Sequence, residues 1–137
     1  MTWSEGTPMT AAGCANAAAE MVRTINHTTR PGTIDDGVDE LQVTDLYDLL
    51  GGLALLAGRL PQALSQVEAL LDALVENHHV VVVDGEHAGD PVAVAAVAGH
   101  WLQVARAAAG HLVHATDRAQ QALTWAATPS AEQEPGT

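Results

Sequence analysis

The sequence predicts an all-α protein: a long antiparallel helical hairpin, a shorter N-terminal helix packed on it, and two copies joined in a dimeric helical bundle. Three observations lead there. Apolar residues recur at alternating three- and four-residue intervals through residues 44–79 and again through 91–127, the rhythm of a helix seam. Those two stretches match in length, each about 54 Å long at 1.5 Å per residue. Hydrophobic residues make up 47% of the 137, yet aromatics are only 3% and Phe is absent. A core of Ala, Leu and Val suits closely approaching helices better than a sheet, which favours aromatic and β-branched residues.

Taken in order, residues 1–7 read as a flexible N-terminus. Thr7 caps the first helix and Pro8 takes its first position, where a missing N–H costs nothing. Ala11, Cys14, Ala15, Ala18, Met21, Val22 and Ile25 fall on one face of a helix over 8–27, with Cys14 a small buried residue of that face. Residues 28–43 form a linker with two turn signals, Arg30-Pro31-Gly32 and Ile34-Asp35-Asp36-Gly37.

Thr44 is the expected cap of the second helix, with Asp45 and Asp48 complementing its dipole in the first turn. Its seam reads Leu46, Leu50, Leu53, Ala57, Leu60, Leu64, Val67, Leu71, Leu74 and His78. Pro61 falls inside it. A turn at Gly58-Arg59-Leu60 would have no reason to preserve the seven-residue register across it, so the register favours one helix kinked at Pro61. A second stripe, Leu49, Leu56, Ala63 and Leu70, repeats beside the first and widens the apolar face beyond what one neighbour covers.

Val80–Val83 is an extended connector or edge strand ahead of the Asp84-Gly85 turn. Asp90 with Pro91 opens the last helix. Its seam is Ala95, Ala98, Leu102, Ala105, Ala109, Leu112, Thr116, Ala119, Leu123 and Ala126, rich in the small residue that lets two backbones come close. Pro129 ends it, and residues 128–137 read as a disordered tail.

Formal charge is −12, with five Arg and no Lys. Nucleic acid and anionic membrane surfaces both call for a cationic face, so neither is an expected direct partner. Arg without Lys in an Ala-rich chain points to a GC-rich bacterial genome. One cysteine excludes an internal disulfide. A basic start followed by an apolar stretch is missing, as is a run of about 18 apolar residues. The expected location is cytoplasmic.

Candidate chemistry is sparse. His100, His111 and His114 lie within about 60° of one another on the last helix and are the weak candidates for a metal site, though no neighbouring carboxylate shares their face. His78 and His79 point about 100° apart and read as helix-end histidines. The acidic clusters at 35–40 and 84–90 match no calcium loop. There is no Gly-rich phosphate loop and no nucleophile elbow, so no catalytic residue is assigned and no cofactor is expected. Trp101 reads as core edge. Trp125 and Arg118, with the stripe residues Leu49, Leu56 and Leu70, are the candidate partner contacts.

The expected function is a non-catalytic helical interaction or oligomerisation module, an adaptor, assembly component or inhibitor. Its partner is a protein, and the chain is a homodimer. The alternatives are a metal- or ligand-binding bundle using the three histidines, and an acidic nucleic-acid mimic acting on another protein.

Overall fold

The computed structural model describes residues 9–30 and 42–126, and the chain divides into two compact units, Met1–Leu41 and Gln42–Thr137. Every described element is helical, and no strand occurs among the described residues.

In the first unit, α1 spans Ala11–Thr28. Thr10 caps it, its hydroxyl accepting a hydrogen bond from the Gly13 N–H at 3.0 Å. The expected start at Pro8 is not found: Thr7 and Pro8 lie outside the described residues, but Met9 and Thr10 are not helical and the helix begins at Ala11. Val22 and Ile25 are half-buried as the amphipathic pattern requires, but Cys14 is exposed and Met21 is half exposed. The expected burial of Cys14 is therefore not found.

In the second unit, α2 (Val43–Glu76) and α3 (Pro91–Ala122) are packed together. Helix α2 runs without interruption through Pro61. Its cap is Gln42 rather than Thr44. The Asp45 carboxylate reaches back to accept from the Gln42 N–H at 2.8 Å, satisfying one of the orphan donors of the first turn.

The other end of α2 comes earlier than the expected His79. The His79 N–H bonds to the Leu74 carbonyl at 2.8 Å and the His78 N–H to Val75 at 3.1 Å, the paired bonds of a Schellman stop. His78 holds the left-handed position of that motif, φ 59°. That backbone reversal takes His78 out of the seam it was expected to continue.

Residues 77–90 form a connector, with the Gly89 N–H bonded to the Val82 carbonyl at 2.9 Å. Asp90 and Pro91 open α3 as expected, the carboxylate accepting from the Ala93 N–H at 3.1 Å. Helix α3 stops at Ala122, five residues short of the expected 127.

Contacts between the helices fix their direction. Gln120 donates from Nε2 to the Tyr47 carbonyl, Val113 lies nearest Gly58, and Arg106 pairs with Glu68. Numbers fall along α3 as they rise along α2, so the pair is antiparallel.

The inner line of α2 differs from the expected seam in one systematic way. Leu50, Ala57, Leu64 and Leu71 are buried or half-buried as expected. Between them, however, the line passes through Ala54, Pro61, Glu68 and Val75. Leu60, Val67 and Leu74 are 41%, 51% and 45% exposed. Each lies one residue, or 100° of helix rotation, from the position that packs. Close approach explains the choice: among the described residues the buried apolar ones are Ala54, Ala57 and Ala109, and Gly99 is buried with them. A leucine in the tightest part of the line would hold the backbones apart.

On α3 the expected line holds from Ala95 to Ala109; beyond it Thr116 and Leu123 stay half-buried, while the rungs expected at Leu112 and Ala119 move over by one residue. Val113 and Gln120 are half-buried, whereas Leu112 is 49% exposed and Ala119 is exposed. A helix of 3.6 residues per turn drifts about 20° per heptad against a strict seven-residue rhythm, which shifts the contact in this way over its length.

Candidate functional site

Removing Leu60, Val67 and Leu74 from the inner line gives them a different role. Together with the second stripe they make a continuous outer line: Leu46, Leu49, Leu53, Leu56, Leu60, Ala63, Val67, Leu70 and Leu74, spaced three and four alternately. Leu49 and Leu53 are half-buried, and the rest are exposed, Leu70 most of all among the large ones at 65%. At 100° per residue this line sits roughly a quarter-turn from the direction in which α2 faces α3.

Helix α3 carries a counterpart. Val97, Trp101, Val104, Ala108, Leu112, Ala115 and Ala119 recur at the same intervals, slightly more than a quarter-turn from the α2-facing line. Val97, Trp101, Val104 and Leu112 are between 45% and 62% exposed. Trp101 therefore lies on an open surface and is not the core-edge residue its position suggested. The offset has the same rotational sense on both helices, each viewed from its own N-terminus. In an antiparallel pair that sends both lines to one side. The result is a two-helix layer with a broad face of Leu, Val and Trp that carries no charged residue along either line.

The opposite side is polar and small. Glu68 accepts from Arg106, with both side chains about a quarter exposed (24% and 25%). Gly99 packs beside this pair, with a Cβ there standing 3.4 Å from Glu68 Oε1, an ordinary contact. Gly51 makes room for Gln120: a Cβ would stand 2.6 Å from the Nε2 that donates to the Tyr47 carbonyl. Glu68, Asp72, His100 and Gln103 border a shallow groove on this side.

The expected contact residues divide accordingly. Leu49, Leu56 and Leu70 all belong to the outer line. Arg118 is exposed at the far end of α3, and Trp125, 95% exposed, stands beyond that helix. Neither lies on the apolar face. His100, His111 and His114 are all exposed, and His100 borders the polar groove with Glu68 and Asp72. The His100 ring meets the Trp101 ring edge-on at 5.1 Å between centroids. No group of three or more His, Cys, Asp or Glu side chains poised for a metal occurs among the described residues. The α3 half of the apolar face was missed on sequence, although its spacing was visible; the signal was masked because Leu112 and Ala119 were assigned to the inner seam.

Helix α3 is also long and apolar enough, by length and composition alone, to cross a membrane, with a mean hydropathy of 1.2 over its most apolar window. No family model matches the chain, and neither a curated protein nor a solved structure is detectably similar to it.

Proposed function

We propose that this chain is a non-catalytic helical interaction and oligomerisation module, working in the cytoplasm as an adaptor, assembly component or inhibitor of another protein. The observation that carries this reading is the uncharged apolar face of the α2–α3 layer. A pair of helices whose buried apolar residues are three alanines has little core of its own. Contiguous exposed apolar surface on that scale marks a place where another layer packs. Side chains of Leu and Val recover roughly 1.5–3 kcal/mol each on full burial, so covering even part of the line supplies what the inner seam lacks.

We read α3 as one layer of that assembly and not as a membrane span. Arg106, midway along it, is paired with Glu68 of α2, and a span would have to carry that charge into hydrocarbon at a cost of several kcal/mol.

The reading is tested by comparing affinity capture with the intact chain and with a Leu56→Glu, Leu70→Glu variant. Partners bound through the face are lost with the variant and kept with Arg118→Ala, a substitution of equal visibility off the face. Capture that is indifferent to the leucines but abolished at Arg118 refutes the apolar face as the docking surface.

A further inference from the structure

We propose that the apolar face is covered by the same face of a second copy of this chain, α2 against α2 and α3 against α3, in a two-fold antiparallel four-helix bundle. This rests on the reading of the face as a docking surface and names its occupant.

The first argument is self-complementarity. A two-fold axis crossing the outer line between Pro61 and Gln62 sets Leu49 opposite Leu74, Leu53 opposite Leu70, Leu56 opposite Val67, and Leu60 opposite Ala63. Leu46 falls opposite Asn77 past the helix end, and every other rung of the line finds an apolar rung. The internal packing then fixes where that axis meets α3. Tyr47 meets Gln120, Gly58 faces Val113 and Glu68 faces Arg106, so at equal rise the midpoint of the α2 line is level with the stretch of α3 centred near Ala109. An axis at Ala108 sets Trp101, the largest side chain on the face, opposite Ala115. It also sets Val104 opposite Leu112 and Val97 opposite Ala119. Large meets small, and one axis serves both helices although their sequences are unrelated.

Area and charge agree. The outer line runs 28 residues from Leu46 to Leu74, about 42 Å, and two helices 8–10 Å apart give a face of roughly 800 Å² per copy. That is the size at which protein pairs become specific and stable. The chain carries a charge of −12, which would oppose self-association, but none of it lies on the two apolar lines. In this arrangement every neighbouring helix is antiparallel, so the dipoles are paired favourably.

Sedimentation and cysteine cross-linking of the full chain test this together. At tens of micromolar the expected mass is twice 14.2 kDa. In a Cys14→Ser background, Ala108→Cys sits on the axis and is expected to form a cross-linked dimer on mild oxidation, whereas Ser65→Cys, on the polar side, is not. Leu60→Glu is expected to give a monomer of unchanged helical content. A dimer that survives Leu60→Glu and gives no cross-link at residue 108 uses another surface and overturns the proposal. A wild-type monomer also overturns it, and maleimide labelling of Ala108→Cys then separates the two ideas. Rapid labelling leaves the face open for a different protein, so the docking reading stands; protection in a monomer means the chain covers its own face, and both fall.

Discussion

The two faces of α2 are built differently. The face packed on α3 mixes sizes, passing through Leu50, Ala54, Ala57, Pro61, Leu64, Glu68 and Leu71, while the face a quarter-turn away carries Leu49, Leu53, Leu56, Leu60, Val67 and Leu70. The buried residues of the inner face are alanines, and most of the large residues of the outer face are exposed. The lesson is that closeness and hydrophobicity are separate demands. Within one chain the helices need small residues at intervals along the seam so that their backbones can come together. The outer face carries bulky side chains at nearly every rung, where interlocking area matters more than backbone distance.

If that division holds, enlarging the inner face is costly. Ala57 is 1% exposed, and Ala57→Leu must push α3 away or adopt an unfavourable rotamer. The expected loss is about 1–3 kcal/mol, read as a lowered denaturation midpoint in urea. On the outer face Leu70→Ser, at 65% exposure, is expected to stay within about 0.5 kcal/mol of wild type at low protein concentration. The gap between them widens or closes with concentration: a growing penalty for Leu70→Ser as protein is added marks the outer face as one that becomes covered. Equal penalties at every concentration would abolish the distinction between the faces.

The charged rung of the inner face is a smaller term. Glu68 and Arg106 are each about a quarter exposed, so solvent screens their attraction, and a double-mutant cycle on Glu68→Ala and Arg106→Ala is expected to show a coupling of about 1 kcal/mol that shrinks with added salt. A coupling near zero would leave Ala and Leu packing as the whole of the inner contact.

The comparison is sharpened least, though most cleanly, at the end of α2. His78 touches neither seam and holds a left-handed backbone at φ 59°, where glycine pays no Cβ penalty. His78→Gly is expected to raise stability by up to about 1 kcal/mol without altering association. A thermal melt of the variant at low concentration checks it; an unchanged or lowered midpoint would mean the His78 ring makes a stabilising contact that outweighs the strain.

Much was legible in the residues themselves. Asp90-Pro91 announces the start of α3, the seven-residue register carries α2 through Pro61, and the surplus Leu49–Leu56–Leu70 stripe already implies more apolar surface than one neighbour can use. Local rules decide these: a capping carboxylate, a fixed φ and a 100° step act within a few residues. The helix ends were less readable, because the cap at Gln42 is made by Asp45 reaching backwards and the stop at Glu76 depends on His78 taking a conformation its side chain disfavours.

Sequence alone thus determined that the chain is helical, where its long helices lie, and that each carries more than one apolar line. Which of those lines faces the other helix was decided only by packing. Periodicity is the same for two lines a quarter-turn apart, so it cannot rank them. The ranking came from steric fit across the pair, where Gly51 admits Gln120, and Ala54, Ala57 and Ala109 let the backbones close.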